Sequence, residues 1–403
     1  MSSPKLSNRS SALGTENAFV VLGEVTALQR AGQDIISFCI GQPDFPTPVN
    51  IQDAAVKAIR DGKHGYTPSA GIEPAREAVA AEYVRNGMPV SADRVVLTAG
   101  TSEGIELALG ALVDADDEVL VPSPTYPLYT AVLAKIGARP VFYRADPDRG
   151  WEPDPNEMAR LVTPATRAIV LIDPNNPTGA VYAEKTRRAV IDLAERTGVP
   201  ILADEVYADL SYDTPQPLLG SFAPDAPIVS FSSLSKAYIA PGWRAGWLAV
   251  GRSPKLDGVL TSIKKLADGR LCSPGPMQYA IEAALTGDRS FQRTFLAELR
   301  ARAELTTTRL NAIPGMRCVA PRAAFYAMPQ VTLPAGTTDD QFVLGLLRAT
   351  GILCVPGSGF ALAPEAGGFR VVFLAPLDDL RRIYDDIARF TGEFLEEARS
   401  KPA

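Results

Sequence analysis

The sequence predicts an α/β fold in which helices flank a mostly parallel sheet, with a smaller α+β domain beside it. From about Val95, short apolar runs alternate with helix-like stretches, a pattern typical of strands buried on both faces of a parallel sheet. After about Asp288 this alternation stops. The length of 403 residues allows two or three domains, and 46% apolar with 21% charged residues is typical of a globular chain.

Six apolar runs predict the strands of the larger domain, at residues 95–99, 118–121, 168–172, 200–203, 228–231 and 245–250. Three later stretches read as helices, at residues 291–312, 339–350 and 377 to about 398. Prolines at positions 43, 46 and 48 indicate a linker. The expected division is therefore an N-terminal segment associated with the small domain (1–42), a large ligand-binding domain (43–288) and a small C-terminal domain (289–403).

Composition and charge argue against several classes of function. The net charge of −6 offers no global field for a polyanion, so no nucleic-acid partner is expected. His64 is the only histidine, which excludes metal sites built on two or more imidazoles, and we expect no metal. The four cysteines form no CxxC pair, and residues 1–11 contain no apolar signal region. Free thiols in the cytoplasm and no membrane association are the expectations.

Ligands of parallel sheets collect at the carboxyl ends of strands, which directs attention to the residues after each run. These segments are rich in polar and turn-forming residues, at 100–102, 122–126, 173–177, 204–207 and 232–236. We therefore expect one crevice to gather two segments suited to phosphate together with an acid, a phenol, an amide and a lysine.

Lys236 follows a strand and a serine-rich turn, where partial burial would lower its pKa and make the amine nucleophilic. An isolated lysine in a loop is more often simply exposed. The spacing from Ser233 to Lys236 also matches the SxxK of penicillin-recognising hydrolases, but the SDN-like and KTG-like companions of that motif are missing from the sequence. The hydrolase interpretation is therefore disfavoured.

Other residues in these segments form a set that suits a heterocyclic phosphate cofactor. Asp204 could hold a protonated ring nitrogen, with Tyr207 and Asn176 near a ring oxygen, although each could be an ordinary turn residue. Gly100, Thr101 and Ser102 precede a helix-like run, so they could bind a phosphate or merely cap the helix. Ser233 and the guanidinium of Arg244 favour the phosphate interpretation. Ser233 and Arg244 thus complete the set of residues suited to a heterocyclic phosphate cofactor.

Eight segments in order resemble the fold-type I, pyridoxal-phosphate-dependent aminotransferases of the class I/II group. The resemblance runs from about Gly14 to the last helix, through GQPDFPTP, GYTPSAGIEPAREA, TAGTSEGIELAL, PSPTYPLY, PNNPTGAVY, ADEVYADL, SFSSLSKAYIAPGWRAGW and FRVVF. The SxxK motif followed by an arginine eight residues after the lysine is specific by itself.

The resemblance implies a role for each matching residue. Lys236 would bind pyridoxal 5′-phosphate covalently and move the substrate proton, and Asp204 would pair with the pyridinium nitrogen. Tyr207 and Asn176 would bind the ring's phenolic oxygen, and Arg370 would clamp the substrate carboxylate beside Gly41. The remaining positions would contact the ring face or the phosphate: Tyr126 on the ring, and Gly100, Thr101, Ser102, Ser233, Arg244 and the partner subunit's Tyr66 at the phosphate. A homodimer with shared active sites follows.

The resemblance fixes the reaction class more firmly than the substrate. In an aspartate-specific subgroup a lysine stands where this chain has Ser102, and several segments look most like the bacterial alanine aminotransferases. Transfer between alanine, or another small neutral amino acid, and a 2-oxo acid such as 2-oxoglutarate is the expectation. An aspartate, broad-range or aromatic aminotransferase and a lyase on the same fold stay open, whereas a DNA-binding ligand sensor is disfavoured because about 40 residues precede GQPDFPTP.

Overall fold

The computed structural model describes residues 7, 9, 17–30 and 32–400, and of residues 17–23 and 398–400 it describes the backbone. The expectation of no signal region at residues 1–11, and the start of the resemblance near Gly14, fall largely outside the described residues.

The strands of the described part are, in chain order, β1 (Ile36–Ser37), β2 (Val95–Ala99), β3 (Glu118–Ser123), β4 (Arg139–Asp146), β5 (Glu152–Pro153), β6 (Thr166–Ile172), β7 (Ile201–Asp204), β8 (Ile228–Ser233), β9 (Ala245–Val250), β10 (Met316–Arg317), β11 (Tyr326–Ala327), β12 (Gln330–Val331), β13 (Ile352–Leu353), β14 (Val355–Pro356) and β15 (Phe369–Val372).

The α-helices of the same part are α1 (Asn17–Arg30), α2 (Val49–Arg60), α3 (Glu73–Arg85), α4 (Thr101–Leu112), α5 (Pro127–Ile136), α6 (Pro155–Leu161), α7 (Glu184–Thr197), α8 (Asp257–Gly269), α9 (Gly275–Thr286), α10 (Phe291–Asn311), α11 (Asp339–Thr350) and α12 (Leu377–Ser400). A membrane span needs a long and predominantly apolar helix, and no described helix meets both conditions.

The main sheet has eight strands in the order β2-β9-β8-β7-β6-β3-β4-β5. Strands β3, β4, β6, β7 and β8 form parallel pairs, whereas β9 runs antiparallel to both of its neighbours and β5 to β4. All six predicted strands lie in this sheet, which confirms the predicted fold class. The sequence pattern missed β4, whose residues are mostly half-buried or exposed.

The continuous apolar runs are explained by burial on both faces of the sheet. In β6, Ala168, Val170 and Ile172 pack into one hydrophobic cluster, while Ile169 and Leu171 pack into the other. Successive side chains of a strand point to opposite faces, so a strand covered on both sides must be apolar at every position. The cover comes from α4, α5 and α8 on one face and from α3, α7 and α9 on the other.

The C-terminal part consists of the long helices α10 and α12, α11 and small sheets. The predicted helices at 291–312, 339–350 and 377–398 are present within two residues of their bounds. Strand β1 near the N-terminus pairs in parallel with β13, with Ile36 opposite Ile352. This pairing joins the N-terminal segment to the C-terminal part, although the domain boundaries at 42/43 and 288/289 stay predictions.

Candidate active site

A cavity of about 730 Å³ lies where β2, β3, β6, β7 and β8 end. Because these strands run in the same direction, the residues after them meet at one edge of the sheet. Eleven of the residues that the sequence singled out line this cavity: Gly41, Thr101, Ser102, Tyr126, Asn176, Asp204, Tyr207, Ser233, Lys236, Arg244 and Arg370. Gly100 lies against Arg244, whereas Tyr66 is 85% exposed and does not line the cavity.

Arg244 reaches this edge because β9 is antiparallel. It immediately precedes β9, whose first residue, Ala245, pairs with Ala99 at the carboxyl end of β2. The Arg244 guanidinium donates to the carbonyl oxygens of Pro241 (2.9 Å) and Ala99 (3.1 Å). Gly100 has a φ of +80°, and a Cβ on it would overlap this guanidinium, so only glycine fits here.

The same corner is suited to a phosphate group. Helix α4 begins at Thr101, so its free backbone N–H groups face the cavity edge together with the Arg244 cation. The Thr101 Oγ1 is buried without a hydrogen-bond partner among the described residues. An unpartnered buried hydroxyl, a helix N-terminus and an arginine are the donors that a phosphate requires.

Asp204 ends β7 and is 4% exposed. Tyr129 Oη donates a 3.1 Å hydrogen bond to Asp204 Oδ2, and the Val206 N–H lies 3.5 Å from Oδ1. Burial raises the pKa of the Asp204 carboxyl to about 6. The two hydrogen bonds and the charge of Lys236 oppose this rise. A buried carboxylate of this kind gains most from a cationic ring nitrogen, because the cation offsets its desolvation.

Lys236 lies in the turn between β8 and β9. Its Nζ donates to the Gly41 carbonyl oxygen at 2.7 Å and lies 5.6 Å from the centre of the Phe325 ring. The amine is thus held inside the cavity rather than in solvent, as the nucleophile interpretation requires.

Arg370, on β15, is 8% exposed and lies between two aromatic rings. Its guanidinium carbon is 4.8 Å from the Tyr326 ring centre and 4.6 Å from that of Phe360. One Nη donates to Asn176 Oδ1 at 3.1 Å, the other donates to the Cys39 carbonyl oxygen, and Nε is buried without a partner among the described residues. A flat guanidinium fixed by two rings is suited to bidentate binding of a carboxylate.

Asn176 lies in a loop after β6 that is fixed by a buried ion pair and hydrogen bonds. The buried Asp173 accepts from Arg187 Nε at 2.6 Å and from the Tyr182 N–H at 3.1 Å. Burial raises the pKa of Asp173, and the Arg187 cation opposes that rise. These contacts hold the loop so that the Asn176 amide faces Arg370.

Tyr207 extends the polar surface of the cavity next to Asp204. Burial raises the pKa of its phenol well above the ordinary value, so the hydroxyl keeps its proton at neutral pH and can donate. Its oxygen lies 2.9 Å from the hydroxyl oxygen of Tyr326.

Residues with direct contacts in the site that were not identified from sequence include Tyr129, Tyr326, Phe360 and Cys39. Tyr129 stands three residues after Tyr126 in PSPTYPLY, where it is indistinguishable from the apolar stripe of a helix. Helix α1 also contributes Val25 and Gln29 to the lining, which no motif indicated.

Comparison with known proteins agrees with this geometry. The family model described as aminotransferase class I and II matches residues 33–386. The alanine aminotransferase of Mycobacterium tuberculosis is 38% identical over 380 residues, covering 92% of this chain and 88% of the relative. The glutamate-pyruvate aminotransferase AlaA of Escherichia coli is 35% identical, with 93% and 94% covered.

Among solved structures, the alanine aminotransferase from Pyrococcus furiosus superimposes with a TM-score of 0.93 at 36% identity, covering 96% of this chain and 100% of that one. The family match spans the main sheet, most of the cavity lining and most of the C-terminal part. This chain therefore belongs to the class I and II aminotransferases, as its motifs predicted, and is a transaminase.

Proposed function

We propose that this enzyme transfers the amino group of L-alanine, or of another small neutral amino acid, to a 2-oxo acid such as 2-oxoglutarate, with pyridoxal 5′-phosphate as cofactor. The observation that carries the proposal is a single cavity with a phosphate corner at Arg244, a buried carboxylate at Asp204, an amine at Lys236 and a carboxylate clamp at Arg370.

The residues around Arg244 and Asp204 fit the cofactor that the family uses. Thr101, Ser102, Ser233 and Arg244 would bind its phosphate, with Gly100 making room for the Arg244 guanidinium. Asp204 would keep the ring nitrogen protonated, and Tyr129 would hold that carboxylate in place. When bound, the cofactor supplies an electron sink for the bond that breaks at the substrate α-carbon.

The other side chains complete the binding of cofactor and substrate. Tyr126 would stack on the ring, while Tyr207 and Asn176 donate to its phenolic oxygen. Lys236 Nζ would carry the proton from the substrate α-carbon to the C4′ carbon of the cofactor. Arg370 binds the α-carboxylate beside Gly41, so the α-carbon is held near Lys236 before the proton moves.

The lining favours a donor with a small neutral side chain. Its three cations are Lys236, Arg244 and Arg370, and each already has a partner group in the proposed complex. The remaining wall is largely aliphatic, and its uncharged polar groups include Gln29 and Ser37. The second carboxylate of aspartate would meet no further cation from the described lining. The distal carboxylate of 2-oxoglutarate would need these uncharged donors or a group of the partner subunit.

A panel of amino donors with 2-oxoglutarate tests the substrate. We expect alanine to give the highest kcat/KM, and aspartate exceeding alanine by about tenfold, or about 1.4 kcal/mol, would overturn the choice. An aromatic or broad-range preference would appear in the same panel. Formation of the oxo acid with release of ammonia and no need for an acceptor would indicate a lyase instead.

The visible absorbance of the purified protein tests the cofactor. We expect a yellow protein whose band shifts on addition of its amino donor and is lost by washing in Lys236→Ala. Lys185→Ala, an exposed lysine at the start of α7, is the matched control and should keep the band. A wild-type protein that binds no pyridoxal phosphate would refute the proposal.

We also propose a homodimer in which the partner's Tyr66 completes the phosphate site. Tyr66 is exposed, and its segment lies against the start of α9, because a Cβ on Gly275 would be 3.8 Å from the Gly65 carbonyl oxygen. Leu271, just before α9, is 56% exposed, so this surface carries apolar side chains suited to a subunit contact. A fully active monomer in sedimentation and dilution assays would contradict the dimer.

We also propose a cytoplasmic location for the protein and a division of the chain into three parts. All four cysteines are free, as expected of a protein in the cytoplasm. Pairing of β1 with β13 supports an N-terminal segment (1–42) that belongs with the small domain (289–403) rather than with residues 43–288. Limited proteolysis that cuts first near residues 43–48 and 288 would support these boundaries, and first cuts elsewhere would contradict them.

A further inference from the structure

Tyr326 is a buried phenol in the wall of the cavity, and neither the sequence motifs nor the proposed reaction assigns it a role. It is 2% exposed, lines the cavity and belongs to β11, which pairs with the strand that carries Arg370. It therefore lies where the C-terminal part meets the main sheet.

The backbone before Tyr326 is held tightly against the loop of Asn176. Ala324 has a φ of +60°, a conformation that costs a non-glycine residue about 1–2 kcal/mol. The Leu210 carbonyl accepts from the Ala324 N–H at 3.0 Å, and Tyr212 Oη donates to the Ala324 carbonyl at 2.6 Å. A Cβ on Gly179 would lie 2.6 Å from the Tyr326 carbonyl oxygen, so the two segments are in direct contact.

The Tyr326 hydroxyl has Tyr207 as its hydrogen-bond partner. The two oxygens are 2.9 Å apart, and the ring centres are 5.6 Å apart at an interplanar angle of 85°. Both hydroxyls are buried, so this contact is shielded from water and is stronger than it would be at the surface.

The ring of Tyr326 supports Arg370, and its hydroxyl end lies against Gly41. The Arg370 guanidinium lies over the ring at 4.8 Å. A Cβ on Gly41 would overlap the Tyr326 hydroxyl oxygen, and the Gly41 carbonyl is the group that accepts from Lys236. The Tyr326 side chain thus contacts Tyr207, Arg370 and the backbone of Gly41, whose carbonyl accepts from Lys236.

We propose that Tyr326 is a positioning residue with two separable actions: its hydroxyl donates to Tyr207, and its ring holds Arg370. The proposal rests on the proposed binding of pyridoxal phosphate. With Tyr326 as donor, the proton of Tyr207 is free to point at the phenolic oxygen of the cofactor. Hydrogen bonds in such a chain polarise one another, so the first strengthens the second.

Replacing only the hydroxyl tests the first action. Tyr326→Phe keeps the ring, the packing and the contact with Arg370. Without the first hydrogen bond, Tyr207 stabilises the ionised phenolic oxygen less. We expect the pKa of the cofactor's visible absorbance change to rise by about half a unit to one unit. KM for the amino donor should change less than about twofold, because Arg370 keeps its support.

Tyr384→Phe is the matched control. Tyr384 is also buried, and its hydroxyl pairs with Thr306 at 2.6 Å outside the cavity. This variant should leave the absorbance pKa unchanged while it reports the general effect of removing a buried hydroxyl. The cofactor dissociation constant, measured in the same series, should rise about two- to tenfold in Tyr326→Phe relative to this control.

Replacing the ring tests the second action. Tyr326→Leu removes the surface on which Arg370 lies, so KM for the amino donor should rise about tenfold beyond that of Tyr326→Phe. If this variant does not fold, Tyr326→Trp keeps an aromatic face without the phenol and should retain the KM of Tyr326→Phe.

The outcomes separate failure of this inference from failure of the proposed function. A wild-type protein with no cofactor band refutes the proposed function. A normal wild-type band, with the absorbance pKa and dissociation constant of Tyr326→Phe equal to those of Tyr384→Phe, refutes the orientation of Tyr207 by Tyr326. The support of Arg370 by the ring is refuted if Tyr326→Leu has the same KM as Tyr326→Phe. It is also refuted if KM rises about tenfold in Tyr326→Trp, which keeps an aromatic face.

Discussion

The two ends of the cavity are built in different ways. At the phosphate end, Gly100, Thr101, Ser233 and Arg244 come from adjacent strands β2, β8 and β9 of one sheet. At the carboxylate end, Gly41, Asn176, Tyr326 and Arg370 come from four distant segments that meet only in the folded protein. In the proposed complex, one sheet would therefore hold the phosphate, whereas binding of the substrate carboxylate would depend on how the C-terminal part packs against that sheet.

The largest effect is expected from changing the carboxylate clamp. Arg370→Lys keeps the charge but loses the paired N–H groups and the flat face between Tyr326 and Phe360. We expect kcat/KM for the amino donor to fall about 100- to 1000-fold while the cofactor band is retained. Steady-state kinetics and visible absorbance check this.

The exposed surface arginine Arg381, changed to lysine, is the control and should behave as wild type. Loss of the cofactor band in Arg370→Lys would show that the two ends of the cavity are not independent.

Gly179→Ala tests the contact between the two parts of the chain. Gly179 has a φ of +70°, and a Cβ there would lie 2.5 Å from Pro321 Cβ. The strain and the overlap should lower the free energy of unfolding by about 2–4 kcal/mol, as measured by urea denaturation. Gly198→Ala, at a φ of +74° with open space around it, is the control for the backbone term alone and should cost about 1–2 kcal/mol.

A pair of glycine substitutions compares the two ends directly. A Cβ on Gly100 would displace Arg244, so Gly100→Ala should weaken cofactor binding about 10- to 30-fold. A Cβ on Gly41 would displace the Tyr326 side chain, including the ring on which Arg370 lies, so Gly41→Ala should raise KM for the amino donor by a similar factor while cofactor binding weakens only as much as in Tyr326→Phe. Equal effects of both substitutions on both ligands would contradict the division.

The smallest effect is expected from Asp204 in the cofactor-free protein. Burial raises its pKa to about 6, so between about pH 4 and 6 the folded state binds more protons than the unfolded state, and stability falls as pH rises through this window. Asp204→Asn should therefore stabilise the cofactor-free protein at pH 7 by roughly 1–2 kcal/mol, with the gain disappearing below about pH 4. Urea denaturation at several pH values measures this, and a gain independent of pH would contradict it.

Individual elements show why some parts of the fold were readable from sequence. Strand β6 was recognised because burial on both faces makes every position apolar. Strand β4 was missed because its ends are charged and Phe142 is 40% exposed, so its pattern is neither continuous nor alternating. Tyr129 was missed for another reason: it follows β3, whereas Asp204 ends β7, and the strand order that brings them together has no local signal.

The sequence by itself determined the α/β class and the family, and it singled out residues after strand ends, including Lys236 and Asp204, that line one cavity in the structure. It could do so because the carboxyl ends of parallel strands share one edge of a sheet, so neighbouring motifs become neighbouring side chains. Only the tertiary structure decided the partners of Arg370, which lie 194 residues away at Asn176 and 331 residues away at Cys39. The same holds for Tyr326, because contacts over such separations arise from packing of the whole chain and leave no local pattern.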